Sequence, residues 1–241
     1  MQIYTIAGLI ILAAGIHASF QLSVSMLTLM SGHSLGRRAG RARVLRLSMA
    51  FTLGVMTMIA LSLSWLALVV QNIFVGGIPL IVWNVLSGLM AGLGVVIWAF
   101  YYRHGAAGTV LWLPRGFASY ISDRARKTRG SNEAFGLGLV SVITEWVFCI
   151  APLALAATLL VQLTPPLQLA GLIAYTLIAS LPLLVIMLLI HSGYSLGRIQ
   201  RWRERNKRFL QFAAGSLLIV LGGYLYTMMV LATTTVVGDA S

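Results

Sequence analysis

The sequence predicts an all-α integral membrane protein of six transmembrane helices, with a short additional helix on the cytoplasmic surface. Three observations carry this. Hydrophobic residues make up 59% of the chain, charged residues only 9%, and the mean hydropathy is +0.92; soluble domains are about a quarter charged. Six apolar runs each reach the roughly 20 residues needed to cross a bilayer. Every Lys and Arg falls between certain of those runs, save Arg46 at the very start of the second. The whole chain, 1–241, reads as a single membrane domain.

The runs are Ile3 to Met30, Val44 to Val70, Ile78 to Tyr102, Phe135 to Val161, Leu167 to Ile190 and Phe209 to Ala232. Basic residues occur only in Arg37 to Arg46, Arg103 to Arg129 and Arg198 to Arg208, while the connections 71–77 and 162–166 carry no charge. The positive-inside rule then puts loops 31–43, 103–134 and 191–208 in the cytoplasm and both termini outside, in the plasma (inner) membrane. In a soluble chain a formal net charge of +12 would suggest nucleic acid. Here it orients the helices, and no nucleic-acid partner is expected. Met1 to Ile11 has no basic n-region, so the first run reads as a retained span rather than a cleaved signal.

The first run carries a polar stripe, His17, Gln21, Ser25 and Thr28, at the i, i+4, i+8, i+11 spacing of one helix face. Hydroxyls in membrane helices often bond back to their own backbone, but His17 and Gln21 need partners. His17 suits either a helix-packing hydrogen bond or a proton site. The loops after the first and fifth runs begin alike, Ser31-Gly32-His33-Ser34-Leu35-Gly36-Arg37 and Ser192-Gly193-Tyr194-Ser195-Leu196-Gly197-Arg198. Gly ends each helix there and Arg anchors it among the headgroups; paired gates are the functional alternative.

The second run, with Gly54 and several hydroxyls, shows no site. In the third, Asn84, Gly88 and Gly92 share a face on which small residues would let two helices approach closely, and Asn84 could equally line a cavity. Trp98, Tyr101 and Tyr102 form an aromatic belt before Arg103. In the following loop Pro114 suits a helix start, and Trp112, Phe117 and Tyr120 followed by Arg124, Arg126 and Lys127 describe a surface helix held by anionic lipid. Ser131 or Asn132 is placed to cap the fourth helix.

The fourth run holds the deepest acid of the chain, Glu145. A carboxylate at the bilayer centre costs roughly 2.5 to 3.5 kcal/mol on insertion scales, so such groups face a protein interior or a watery cavity. Ser141, Glu145, Cys149 and Pro152 lie on one helix face. Cys149 is the only cysteine, which excludes an intramolecular disulfide. In the fifth run Pro182 removes a backbone donor and should kink or break the span. Ala213, Ala214, Gly215, Gly222 and Gly223 imply close packing of the sixth.

The segment Ala174-Tyr175-Thr176-Leu177-Ile178-Ala179-Ser180-Leu181-Pro182-Leu183-Leu184, and then Phe212-Ala213-Ala214-Gly215-Ser216-Leu217-Leu218-Ile219-Val220-Leu221-Gly222-Gly223-Tyr224-Leu225, resembles the last two helices of the CcdA and DsbD thiol-electron transporters, which group with the LysE-type exporters. The resemblance is best in the C-terminal half. It implies two inverted three-helix repeats whose first and fourth helices face each other at the midplane, with a reactive cysteine beside prolines in each. Cys149 and Pro152 can stand for the fourth-helix site; the first run has neither Cys nor Pro, which excludes a two-thiol relay within the chain. On this arrangement His17 and Gln21 come near Glu145.

The first expectation is therefore a small transporter or exporter of a small solute or ion, proton-coupled through Glu145 and His17, with Gln21, Asn84, Cys149, Pro152 and Pro182 around the site. A non-transporting scaffold that binds lipid or a cytoplasmic partner is the second. A redox protein using Cys149 with an external thiol partner is the third. An enzyme is not expected, since no nucleophile, base and orienting group recur together. No metal or cofactor is expected, a phosphate loop for ATP is absent, and the small-residue faces leave the oligomeric state open.

Overall fold

The computed structural model describes residues 2–20, 38–103, 124, 128, 130–192 and 196–231, and among these every regular element is helical. The helices are α1 (Ile3–Ser19), α2 (Arg38–Ile73), α3 (Leu80–Arg103), α4 (Ser131–Leu160), α5 (Pro165–Ala179), α6 (Leu181–His191) and α7 (Leu196–Leu225), which ends in a π-helical turn at Tyr226–Leu231. Four of them, in α2, α3, α4 and α7, are long and apolar enough to cross a membrane, and the bent pair α5 and α6 makes a fifth span if counted as one. The helix α1 is described over 17 residues; Gln21, Ser25 and Thr28 lie outside the described residues. So do Trp112, Phe117, Tyr120, Arg126 and Lys127, while Arg124 is helical and exposed.

The ends follow local chemistry. Gly130, not Ser131 or Asn132, is the N-cap of α4, because its backbone is extended (φ −103°, ψ 151°) while Ser131 is already helical. The Glu133 carboxylate reaches back toward the Gly130 N–H at 3.5 Å. Thr164 precedes Pro165 and Pro166 at the start of α5, where a missing N–H costs nothing. Gly77, at φ +111°, makes the turn into α3, a conformation only glycine adopts freely. The basic run Arg198 to Arg208, read from the sequence as loop, continues α7 as helix. Arg, Gln, Lys and Glu are strong helix formers.

The core is organised on α4. Some 56% of its spanning window is buried, against 28 to 39% for α2, α3 and α7. It packs most extensively against α2, and also against α1, α3 and α5; α7 packs chiefly against α3, and α1 against both α4 and α5. The α2–α4 crossing is a backbone-to-backbone contact. A Cβ on Gly54 would strike the Phe135 carbonyl, and one on Gly138 would strike that of Phe51. Gly94, Gly215 and Gly222 serve the α3–α7 seam in the same way, against Ile219, Trp98 and Ser87. Gly88 and Gly92, expected from their spacing to bring helices together, do not: both are exposed, with nothing within 4 Å of the place a Cβ would occupy.

Candidate functional site

The buried stripe of α1 is Ile6, Leu9, Ile10, Ala13, Ala14, Ile16 and His17, the i, i+3, i+4, i+7 pattern of a helix face turned to a core. His17 is its last member and is fully buried. Its Nδ1 lies 3.0 Å from the phenol oxygen of Tyr175, and the rings meet edge to face with centroids 5.8 Å apart. Tyr175 is itself fully buried on α5. The other ring nitrogen of His17, Nε2, is buried without a hydrogen-bond partner among the described residues.

Glu145 and Cys149 approach from α4. Both are buried, Glu145 completely and Cys149 at 1% exposure. The carboxyl is engaged by its surroundings. The two lie four residues apart on α4 and so share one helix face. The buried polar groups thus stand on three helices, His17 on α1, Glu145 and Cys149 on α4 and Tyr175 on α5. The group that holds His17 Nδ1 is the Tyr175 hydroxyl on α5, not the Glu145 carboxyl toward which the inverted-repeat resemblance points. A phenol suits that role, since it satisfies a neutral imidazole without bringing a charge into the interior.

Other expected members divide. Pro182 sits at a break: α5 and α6 meet at 50°. Ser180 between them takes helical dihedrals, its N–H donating to Thr176 O at 3.1 Å and its carbonyl accepting from Leu183 and Leu184. Proline supplies no N–H to the Ile178 carbonyl one turn back, which is why the ladder stops here. The Ser180 hydroxyl is fully buried and has no hydrogen-bond partner among the described residues. Pro152 is buried but α4 runs on through it without a break. Ser141 and Thr144 bond back to Gly138 O and Ser141 O at 2.8 and 2.6 Å, the structural alternative for hydroxyls on that stripe. Asn84 is half-buried on α3, which packs chiefly on α7, and it takes no part in the His17 contact.

Tyr175 and Ser180 are the residues that sequence reasoning did not single out. The signal was present: both are polar, and with Ala179 they flank the turn before Pro182. Among the described residues no group of three or more His, Cys, Asp or Glu side chains could hold a metal ion. Comparison with protein-family models, curated proteins and solved structures finds no significant match to this chain.

Proposed function

We propose that the chain is a small secondary transporter or exporter of a small solute or ion, coupled to protons through the buried His17, Tyr175, Cys149 and Glu145 set. The observation that carries this reading is the fully buried His17 Nε2, which has no hydrogen-bond partner among the described residues while Nδ1 is held by Tyr175. An unsatisfied buried polar atom costs about 1 to 3 kcal/mol, and ionisable groups inside membrane bundles commonly mark proton or substrate paths. The neighbouring break at Ser180 and Pro182 adds support, because discontinuous helices at the midplane are a recurring way to present groups to a substrate.

The reading includes six spans arranged as two inverted three-helix repeats, with the basic segments cytoplasmic and both termini outside. The packing pattern supports it. Exchanging the first three spans with the last three maps α1 against α5 onto α4 against α2, and α1 against α7 onto α4 against α3; all four contacts occur. It also leaves α1–α4 and α3–α7 as self-paired seams, as found. The kinship to CcdA-type and LysE-type proteins remains part of this proposal.

The decisive experiment reconstitutes the wild type, Glu145→Gln and His17→Leu in proteoliposomes and follows proton uptake with an internal pH dye across a panel of small solutes. Flux in the wild type that both variants lose supports coupling. The absence of any Glu145-dependent flux, with Glu145→Gln merely less stable, would shift the assignment to a membrane scaffold. The redox reading requires an external thiol to reach Cys149, and its burial argues against that.

A further inference from the structure

The helix α7 enters its spanning window at Arg208, and 24 residues remain to Leu231, about 36 Å of helix against a hydrocarbon core of about 30 Å. Arg208 and the turn before it therefore lie at headgroup level. At about 100° per residue, Trp202, Arg205, Arg208, Phe209 and Phe212 fall on one side of α7, and each of them is exposed, Trp202 at 58% and Phe209 at 67%. The opposite side carries the buried Ala214. From α3, whose spanning window ends at Ala99, Trp98 lies flat against Phe212, ring centroids 5.5 Å apart and 5° from parallel. That contact ties the two helices together at one membrane boundary.

Interleaved on this face are two guanidinium groups one turn apart, which neighbour each other on a helix surface, and neither makes a hydrogen bond or ion pair among the described residues. Exposed tryptophan and phenylalanine at this depth belong to the interfacial layer. Paired guanidinium groups match the oxygens of one phosphate, each able to bind it with two parallel N–H bonds. We propose that this face of α7 is a binding site for an anionic phospholipid: Arg205 and Arg208 hold the headgroup phosphate, and Trp202, Phe209 and the Trp98–Phe212 stack flank it at the acyl boundary. The site is independent of the buried cluster around His17, and charge complementarity singles out an acidic lipid over a zwitterionic one.

The test uses the full-length protein in nanodiscs of phosphatidylcholine with a minor share of phosphatidylglycerol, counting the phosphatidylglycerol molecules retained after gentle release into native mass spectrometry. Each guanidinium near a charged surface adds about a fivefold preference, so Arg205→Gln with Arg208→Gln should reduce retention about twenty-five-fold. Arg205→Lys with Arg208→Lys should keep the general attraction and lose part of the retention, because a point charge replaces the fork. Brominated phosphatidylglycerol should quench tryptophan fluorescence in the wild type and less in Trp202→Phe. Retention unchanged in the double Gln variant overturns the proposal. So does a protein in neutral nanodiscs that binds soluble polyglutamate tightly while showing no lipid preference, since the face would then serve an acidic polypeptide.

Discussion

His17 and Tyr175 stand 158 positions apart in the chain and 3.0 Å apart in space, joined by a hydrogen bond in a fully buried setting. Removing one partner leaves the other unsatisfied. Tyr175→Phe keeps the ring and deletes the hydroxyl, so it should cost about 1 to 3 kcal/mol of stability, read from unfolding in mild detergent. His17→Leu should cost a similar amount. The double variant should cost clearly less than the sum, since no polar group is then stranded; simple additivity would mean that the bond does not matter to the fold.

The two classes of glycine give opposite expectations. Gly138→Leu drives a side chain into the Phe51 carbonyl and should destabilise by about 3 kcal/mol or more, at or beyond the upper end of overpacking costs. Gly88→Ala meets nothing within 4 Å and should be neutral or stabilising by up to about 1 kcal/mol. Thermal melts of both in one lipid would check the pair, and equal losses would contradict the assigned seams.

Pro182→Ala restores a backbone donor at the break and should straighten the 50° bend. Spin labels at the exposed Leu169 and Leu188 span about 28 Å along a straight helix and about 3 Å less along the bent one. Pulsed electron paramagnetic resonance should show the distance lengthen in the variant. An unchanged distance would mean that tertiary packing, not proline, sets the angle.

Cys149 is 1% exposed, so a water-soluble maleimide should leave it unmodified in sealed membranes and label it after denaturation. Fast labelling of the native protein would reveal a water-filled path to the thiol and reopen the external-thiol reading.

The features legible in the sequence are those whose cost is local. Pro182 cannot donate, so a break was readable without knowing any neighbour. Glu145 and His17 are expensive in lipid, so their burial was readable too. What could not be read is helical phase. In a bilayer the outside of a bundle is as apolar as its inside, and α3, apolar nearly all round, offers no polar side to mark which face looks inward. Spacing alone therefore favoured Gly88 and Gly92, when Gly94 and Ser87 meet α7. The inverted-repeat resemblance points His17 toward Glu145 on α4, and spacing gives no sign of its hydrogen-bond partner. It lies on α5, in a tyrosine whose depth no local rule reveals.

The close approach at Gly54 and Gly138 bears on the order of biogenesis. Gly54 lies on α2 and Gly138 on α4, and α2 is translated first. Until α4 has been synthesised, the seam on α2 lacks the Phe135 and Gly138 backbone that it closes on. The α2–α4 contact, the most extensive in the bundle, therefore forms only once the chain has been made past Gly138.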